Sequence, residues 1–157
     1  MGPDHRYAVT VEWTGNTGEG TATYRSYSRE NLVTADGLAP IDGSADRAFR
    51  GDPARWNPEQ LLLVAASQCH MLSYLHQAAI NNVVVTAYVD NPTAVMREDG
   101  AGGGRFTEIV LHPQVTISAS SDLETAERIH HEANKTCFIA ASLNLPVQHE
   151  VHTIVAA

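Results

Sequence analysis

The 157-residue sequence holds two cysteines, Cys69 and Cys137, and eight histidines, and these side chains carry its most reactive groups. A thiol is a nucleophile only as the thiolate, so a reactive cysteine needs positive charge or hydrogen-bond donors to bring it below its reference pKa of about 8.5. Two thiols also form a redox inventory: a thiolate attacking an O–O bond becomes a sulfenic acid, which a nearby thiol condenses to a disulfide before further oxidation. Cys69 stands among Leu and Ala, where a free cysteine is often a small core residue, but Gln68, His70 and His76 set polar groups on the same stretch. Arg47, Arg50 and Arg55 lie just upstream, followed by Glu59. A carboxylate there also suits a helix N-terminus through the dipole alone. His70, His76, His130 and His131 accompany the cysteines, yet adjacent His130 and His131 point about 100° apart and no His pair is spaced i, i+4, so no metal or other cofactor is expected. His70 or His131 is expected to line a pocket, with Tyr74, Trp56 and Phe138 as candidate apolar walls, and His149 and His152 are expected at the surface.

These groups need elements to position them. Asn57, Pro58 and Gln60 make an N-cap, a first-position proline and a capping-box partner, so a helix begins here. Leu62, Ala65, Ala66, Cys69, Leu72, Leu75 and Ala79 recur at helical spacing up to the stop at Asn81-Asn82, predicting a long central helix that carries Cys69. Ser121 with Glu124 predicts a second helix, whose face of Leu123, Ala126, Ile129 and Ala133 leads to Cys137, with a further turn from Phe138 to Leu143. Alternation from Arg6 to Trp13 predicts a strand with Gly20–Tyr27 as its hairpin partner, and Leu38–Trp56 reads as an irregular site loop. Val83–Val89, Thr93–Glu98, Arg105–Leu111 and Gln114–Ala119 predict a second meander, and Val147–Val155 a closing strand.

Composition narrows the function. With 43% apolar and 18% charged residues the chain is a folding one, and its length predicts a single α+β domain over 1–157. Ten Lys+Arg against eighteen Asp+Glu leave a formal charge of −8, which repels phosphate backbones and anionic membranes, so neither nucleic acid nor membrane is an expected partner. The opening residues lack the order of a signal peptide and no apolar run approaches the length of a membrane span, so a cytoplasmic location is expected.

Asn57-Pro58-Glu59-Gln60-Leu61-Leu62, followed by small residues and a cysteine ten positions after Glu59, resembles the OsmC/Ohr family of osmotically inducible and organic hydroperoxide resistance proteins. The resemblance runs from about Phe49 onward and includes the order of elements. It implies an OsmC-like fold assembled as an intertwined homodimer, and a peroxidase for organic hydroperoxides or hydrogen peroxide. It further implies that Cys69 is the peroxidatic thiol, that Cys137 resolves it as a disulfide, and that an Arg–Glu pair activates the thiolate, with Glu59 as the acid. An external thiol or dithiol, lipoyl-bound in one branch of the family, would reopen the bridge. For the arginine, Arg50 in Phe49-Arg50-Gly51 is favoured, then Arg47, with Arg55, Arg25 and Arg29 in competition. Phe138 departs from the proline that many relatives carry after the second cysteine.

Ten residues of helix rise about 15 Å and turn the side chain by roughly 80°, so Glu59 cannot touch Cys69 of its own helix unaided. Either an arginine spans the gap, or antiparallel central helices of two subunits bring Glu59 of one to Cys69 of the other. The alternative from another class is a non-catalytic protein of the same fold that binds a small apolar molecule or senses redox state.

Overall fold

A computed structural model of the chain describes residues 2–156. It contains the expected mixture of helices and sheets, in two compact units, residues 1–61 and 62–157.

The first unit is built on an antiparallel meander of β1 (Thr10–Trp13), β2 (Asn31–Thr34) and β3 (Ile41–Gly43), with Thr10 opposite Thr34 and Asn31 opposite Gly43. The partner of β1 is therefore β2 and not Gly20–Tyr27. Gly18 and Gly20 adopt φ of 115° and 55°, which breaks an extended run, and Asn16 Oδ1 accepts from both their N–H groups. The stretch to Tyr27 becomes the hairpin tip, where Arg29 lies 4.2 Å from the Tyr24 ring and 4.1 Å from Tyr27. The predicted loop before the central helix is partly regular, since it contains β3 and a single 3-10 turn at Arg47–Phe49 capped by Asp46.

Helix α1 (Pro58–Ile80) starts as its sequence dictates. Asn57 Oδ1 accepts from Gln60 N at 2.8 Å and Gln60 Oε1 accepts from Asn57 N at 3.2 Å, closing the capping box. It stops at Asn81-Asn82, with Asn82 left-handed at φ 58°.

In the second unit β4 (Val85–Asp90) and β5 (Thr93–Glu98) run antiparallel to β7 (Pro113–Ile117) and β6 (Gly104–Leu111). The register continues unshifted from Asp90 opposite Pro113 to Thr93 opposite Val110, so the four strands form one long ribbon interrupted in the middle, not a simple meander. At the break Pro92 has no N–H to give, and the Asp90 carboxylate accepts from His112 N and from Ser67 Oγ. The closing strand breaks at the same level into β8 (Gln148–His149) and β9 (His152–Val155), which add parallel to β6 and β7. Helix α2 (Leu123–Thr136) is capped by Asp122, whose carboxylate accepts from Thr125 N at 2.7 Å. Ser121 is thus not the cap: its hydroxyl accepts from Val84 N. A one-turn helix α3 (Phe138–Ala141) follows, shorter than the run to Leu143.

The buried stripe of α1 is Ala66, His70, Tyr74 and Ala78, one residue every four, and not the leucine stripe read from periodicity. Tyr74 packs with Val115, Ile117, Ala126 and Ile129 in the core of the unit. Leu72 and Leu75 lie on the far side of the helix, 57% and 37% exposed.

Candidate thiol pair and histidine column

Cys69 lies midway along α1 beside the buried stripe and is half-buried, while Cys137 follows the last residue of α2 and is 1% exposed. Cys137 has extended backbone, φ −77° and ψ 105°, and serves both as the C-cap of α2 and as the N-cap of α3, where its Sγ accepts from Ala140 N at 3.4 Å. The Cys69 sulfur is a near neighbour of the Cys137 thiol. Burial first, and then that sulfur, push the Cys137 thiol up to about 11, so it rests protonated at neutral pH. Both cysteines are free thiols, and the structure brings together the two residues that sequence and resemblance paired.

Beside them stands a column of rings, His70, His130, Tyr74 and His149. His70 and His130, each 1% exposed, face each other across α1 and α2 with Nε2 to Nδ1 at 3.1 Å. The rings are near coplanar at 13° with centroids 5.4 Å apart, which is an in-plane hydrogen bond. Tyr74 stacks on His130 at 3.9 Å and donates through Oη to Ala126 O at 3.1 Å. His149 lies against His70 at 5.4 Å, so it belongs to this column and is not a plain surface residue. The histidine that meets His70 is His130, not His131, which is exposed.

Desolvation, then the charge of His149, lowers His70 to about 4 against a weak opposing pull from Asp90. Desolvation, then His70 and His149, lowers His130 to about 3, and His149 is lowered by burial and by His131. The pair is neutral at physiological pH. Its inner nitrogens share one proton, and the outer ones, His70 Nδ1 and His130 Nε2, are buried without a partner among the described residues. No group of three or more His, Cys, Asp or Glu among the described residues is arranged to hold a metal ion.

The other expected site residues lie in the first unit. Glu59 Oε2 is buried with no hydrogen-bond partner among the described residues. Arg47 and Arg50 form no ion pair among them, whereas Arg55 is held by Asp42 at 3.1 Å and Asp52 at 3.7 Å. Arg29 donates to the Tyr27 and Tyr24 carbonyls at 2.7 and 2.9 Å, which marks it as a hairpin strut. Arg50 is left-handed at φ 65°, an uncommon conformation for a residue with a Cβ. Of the candidate pocket walls, Tyr74 is core, while Trp56 and Phe138 are 48% and 81% exposed. The histidine column and Tyr74 had a signal in the sequence: His70 and Tyr74 fall at four-residue spacing with Ala66 and Ala78, which places all four on one face of the helix.

No helix among the described residues is long and apolar enough to cross a membrane. No curated protein matches the chain. Among solved structures, an OsmC-like protein of unknown function from Vibrio cholerae is 32% identical, with 94% of this chain and 99% of that one covered and a TM-score of 0.83. An OsmC-like protein from Mycoplasma pneumoniae shares the fold at 15% identity and a TM-score of 0.74, with 97% and 99% covered. An organic hydroperoxide resistance protein from Legionella pneumophila does so at 18% and 0.64, with 97% and 100% covered. The family model described as OsmC-like protein matches residues 51–152, a span holding the helix cap, both cysteines and the histidine column, and the chain belongs to that family.

Proposed function

We propose that the chain is a thiol-dependent peroxidase for organic hydroperoxides. The observation that carries this reading is the juxtaposition of a half-buried Cys69 with a buried, protonated Cys137. The accessible sulfur meets substrate. Cys69 thiolate attacks the terminal peroxide oxygen, an S–O bond forms as the O–O bond breaks, and the alkoxide takes up a proton and leaves as alcohol. Cys137 then attacks the sulfenic sulfur. The S–S bond forms as S–OH breaks, and the hydroxide leaves as water with the Cys137 proton. Two equivalents of an external thiol, or one dithiol, restore both thiols by exchange and are themselves oxidised to a disulfide.

Glu59 and Arg50 are assigned to activation of Cys69, with Arg47 as the next choice. The buried Oε2 of Glu59 lacks a partner and so suits a guanidinium, and the strained backbone of Arg50 is of the kind kept where a side chain must be aimed. The active form is a homodimer: Val64, Leu72, Leu75 and Ile80 leave an apolar face on α1 opposite the buried stripe, and a second copy of the helix covers it.

Reduced protein mixed with a slight excess of cumene hydroperoxide, or separately hydrogen peroxide, is to be followed by free-thiol count and intact mass. Loss of both thiols with a two-proton mass decrease, a trappable sulfenic acid in Cys137→Ser and no reaction in Cys69→Ser are expected. Survival of both thiols for an hour in stoichiometric peroxide refutes the enzyme and turns attention to a bound small molecule.

A further inference from the structure

We propose that His70 and His130 are positioning residues, a polar clamp that sets the register of α2 on α1 and thereby holds Cys137 at bonding distance from Cys69. The clamp deepens the thiol-pair reading above and rests on it. Half of the residues that α1 and α2 bury are alanines, Ala66 and Ala78 on one helix and Ala126 and Ala133 on the other, beside His70 and Tyr74, Ile129 and His130. Alanines present few knobs, so those four positions resist sliding or rotation weakly. Two buried hydrogen bonds supply the missing register: Tyr74 Oη to Ala126 O, and His70 Nε2 with His130 Nδ1. A buried polar pair is best attested as a device of register, because any displacement leaves both partners desolvated and unpaired.

The position of the clamp matters for the thiols. His70 directly follows Cys69, and Cys137 lies seven residues beyond His130, two helical turns along α2. A disulfide tolerates only about 4.4–6.8 Å between Cα atoms. Rotation or slippage of α2 by a fraction of a turn moves Cys137 outside that range, while α2 itself stays folded and packed. The two rings need only one shared proton to bond, so the contact forms between neutral imidazoles.

The test uses a reaction that does not depend on peroxide. In glutathione buffers Cys69 and Cys137 lose two protons and two electrons to form the bridge, and one glutathione disulfide is reduced to two thiols, so the equilibrium constant reports how well the two sulfurs are placed. His130→Leu fills the space but cannot bond to His70; His130→Asn sets an amide oxygen near the place of Nδ1. The leucine variant is expected to lose at least tenfold in this constant, about 30 mV in potential, with the asparagine variant within threefold of the natural chain. A general loss of stability does not separate these two while both remain folded in urea titration. Equal constants in all three overturn the clamp. If His130→Leu does not fold, His70→Met against His70→Gln asks the same question from α1 and is judged by the same outcomes. A natural chain that forms no Cys69–Cys137 bridge in oxidised glutathione overturns both clamp and thiol pair, whereas one that forms it but ignores peroxide overturns the peroxidase alone.

Discussion

Lowering the pH from 7.5 to 5 titrates the histidine pair against folding. In the unfolded chain both rings charge near 6.5, while in the folded chain His70 holds out to about 4 and His130 to about 3. The unfolded state therefore binds more protons throughout this interval, and stability falls as the pH falls. The stability these neutral rings confer is complete above about 7 and drains away from 6.5 downward until the folded rings charge. At pH 5 the folded rings are still nearly uncharged, so the loss depends on the unfolded value and hardly on how low the folded value lies. It comes to about 2 kcal/mol for each ring and about 4 kcal/mol for the pair. His149, shifted in the same direction, adds to it. Asp99, held low by the Ala101 and Gly103 N–H groups, and Asp122, held low by Thr125, contribute only further down the scale. Urea titrations at fixed protein concentration from pH 7.5 to 5 read this directly: with a slope on the order of 2 kcal/mol/M, the midpoint falls by about 2 M. His130→Leu removes one ring and should flatten the profile by about half. A midpoint unchanged to pH 5 would show that the rings are hydrated in solution, and the argument from their burial would fail.

Other outcomes follow from single contacts. Tyr74→Phe keeps the ring on His130 but deletes the bond to Ala126 O, and is expected to cost about 1 kcal/mol in the same titration. Asn57→Ala opens the capping box at the start of α1 for about 1 kcal/mol, read as a lowered urea midpoint. Leu72→Asp combined with Leu75→Asp charges the open face of α1 and should convert a dimer to monomers in sedimentation; a natural chain already monomeric at micromolar concentration refutes that assignment. Arg50→Ala is expected to slow Cys69 oxidation by cumene hydroperoxide at least tenfold, and Arg47→Ala less; if both react at the natural rate, the guanidinium has been assigned wrongly.

Local chemistry was legible from the residues. Asn57, Pro58 and Gln60 begin α1 because their side chains answer the helix's own first N–H groups, and Asn82 ends it by turning left-handed. Thr93–Glu98 is a strand in both the reading and the structure. The spacing from Glu59 to Cys69, with Cys137 after the second helix, was enough to identify the family, because the order and spacing of residues is a covalent property of the chain. Errors arose where pairing over distance decides. Gly20–Tyr27 has strand-forming residues but loses to β2 once Gly18 and Gly20 turn the chain, and Asp122 displaces Ser121 as a cap because Ser121 is taken by Val84 N across the unit.

The most instructive case is α1. Read alone, its leucines claim the core, since one-dimensional hydropathy ranks Leu above His. In the fold Leu72 and Leu75 face outward and His70 goes inside, because His130 and Tyr74 arrive from elsewhere in chain and helix to bond and cover it. The sequence by itself determined where α1 starts and which family the chain belongs to, both consequences of residue types at fixed spacing along the chain. The resemblance implied the pairing of Cys69 with Cys137, but only the tertiary structure decided that His70 meets His130. That contact joins residues 60 positions apart, and whether a buried polar group is tolerated depends on the partner that folding brings to it.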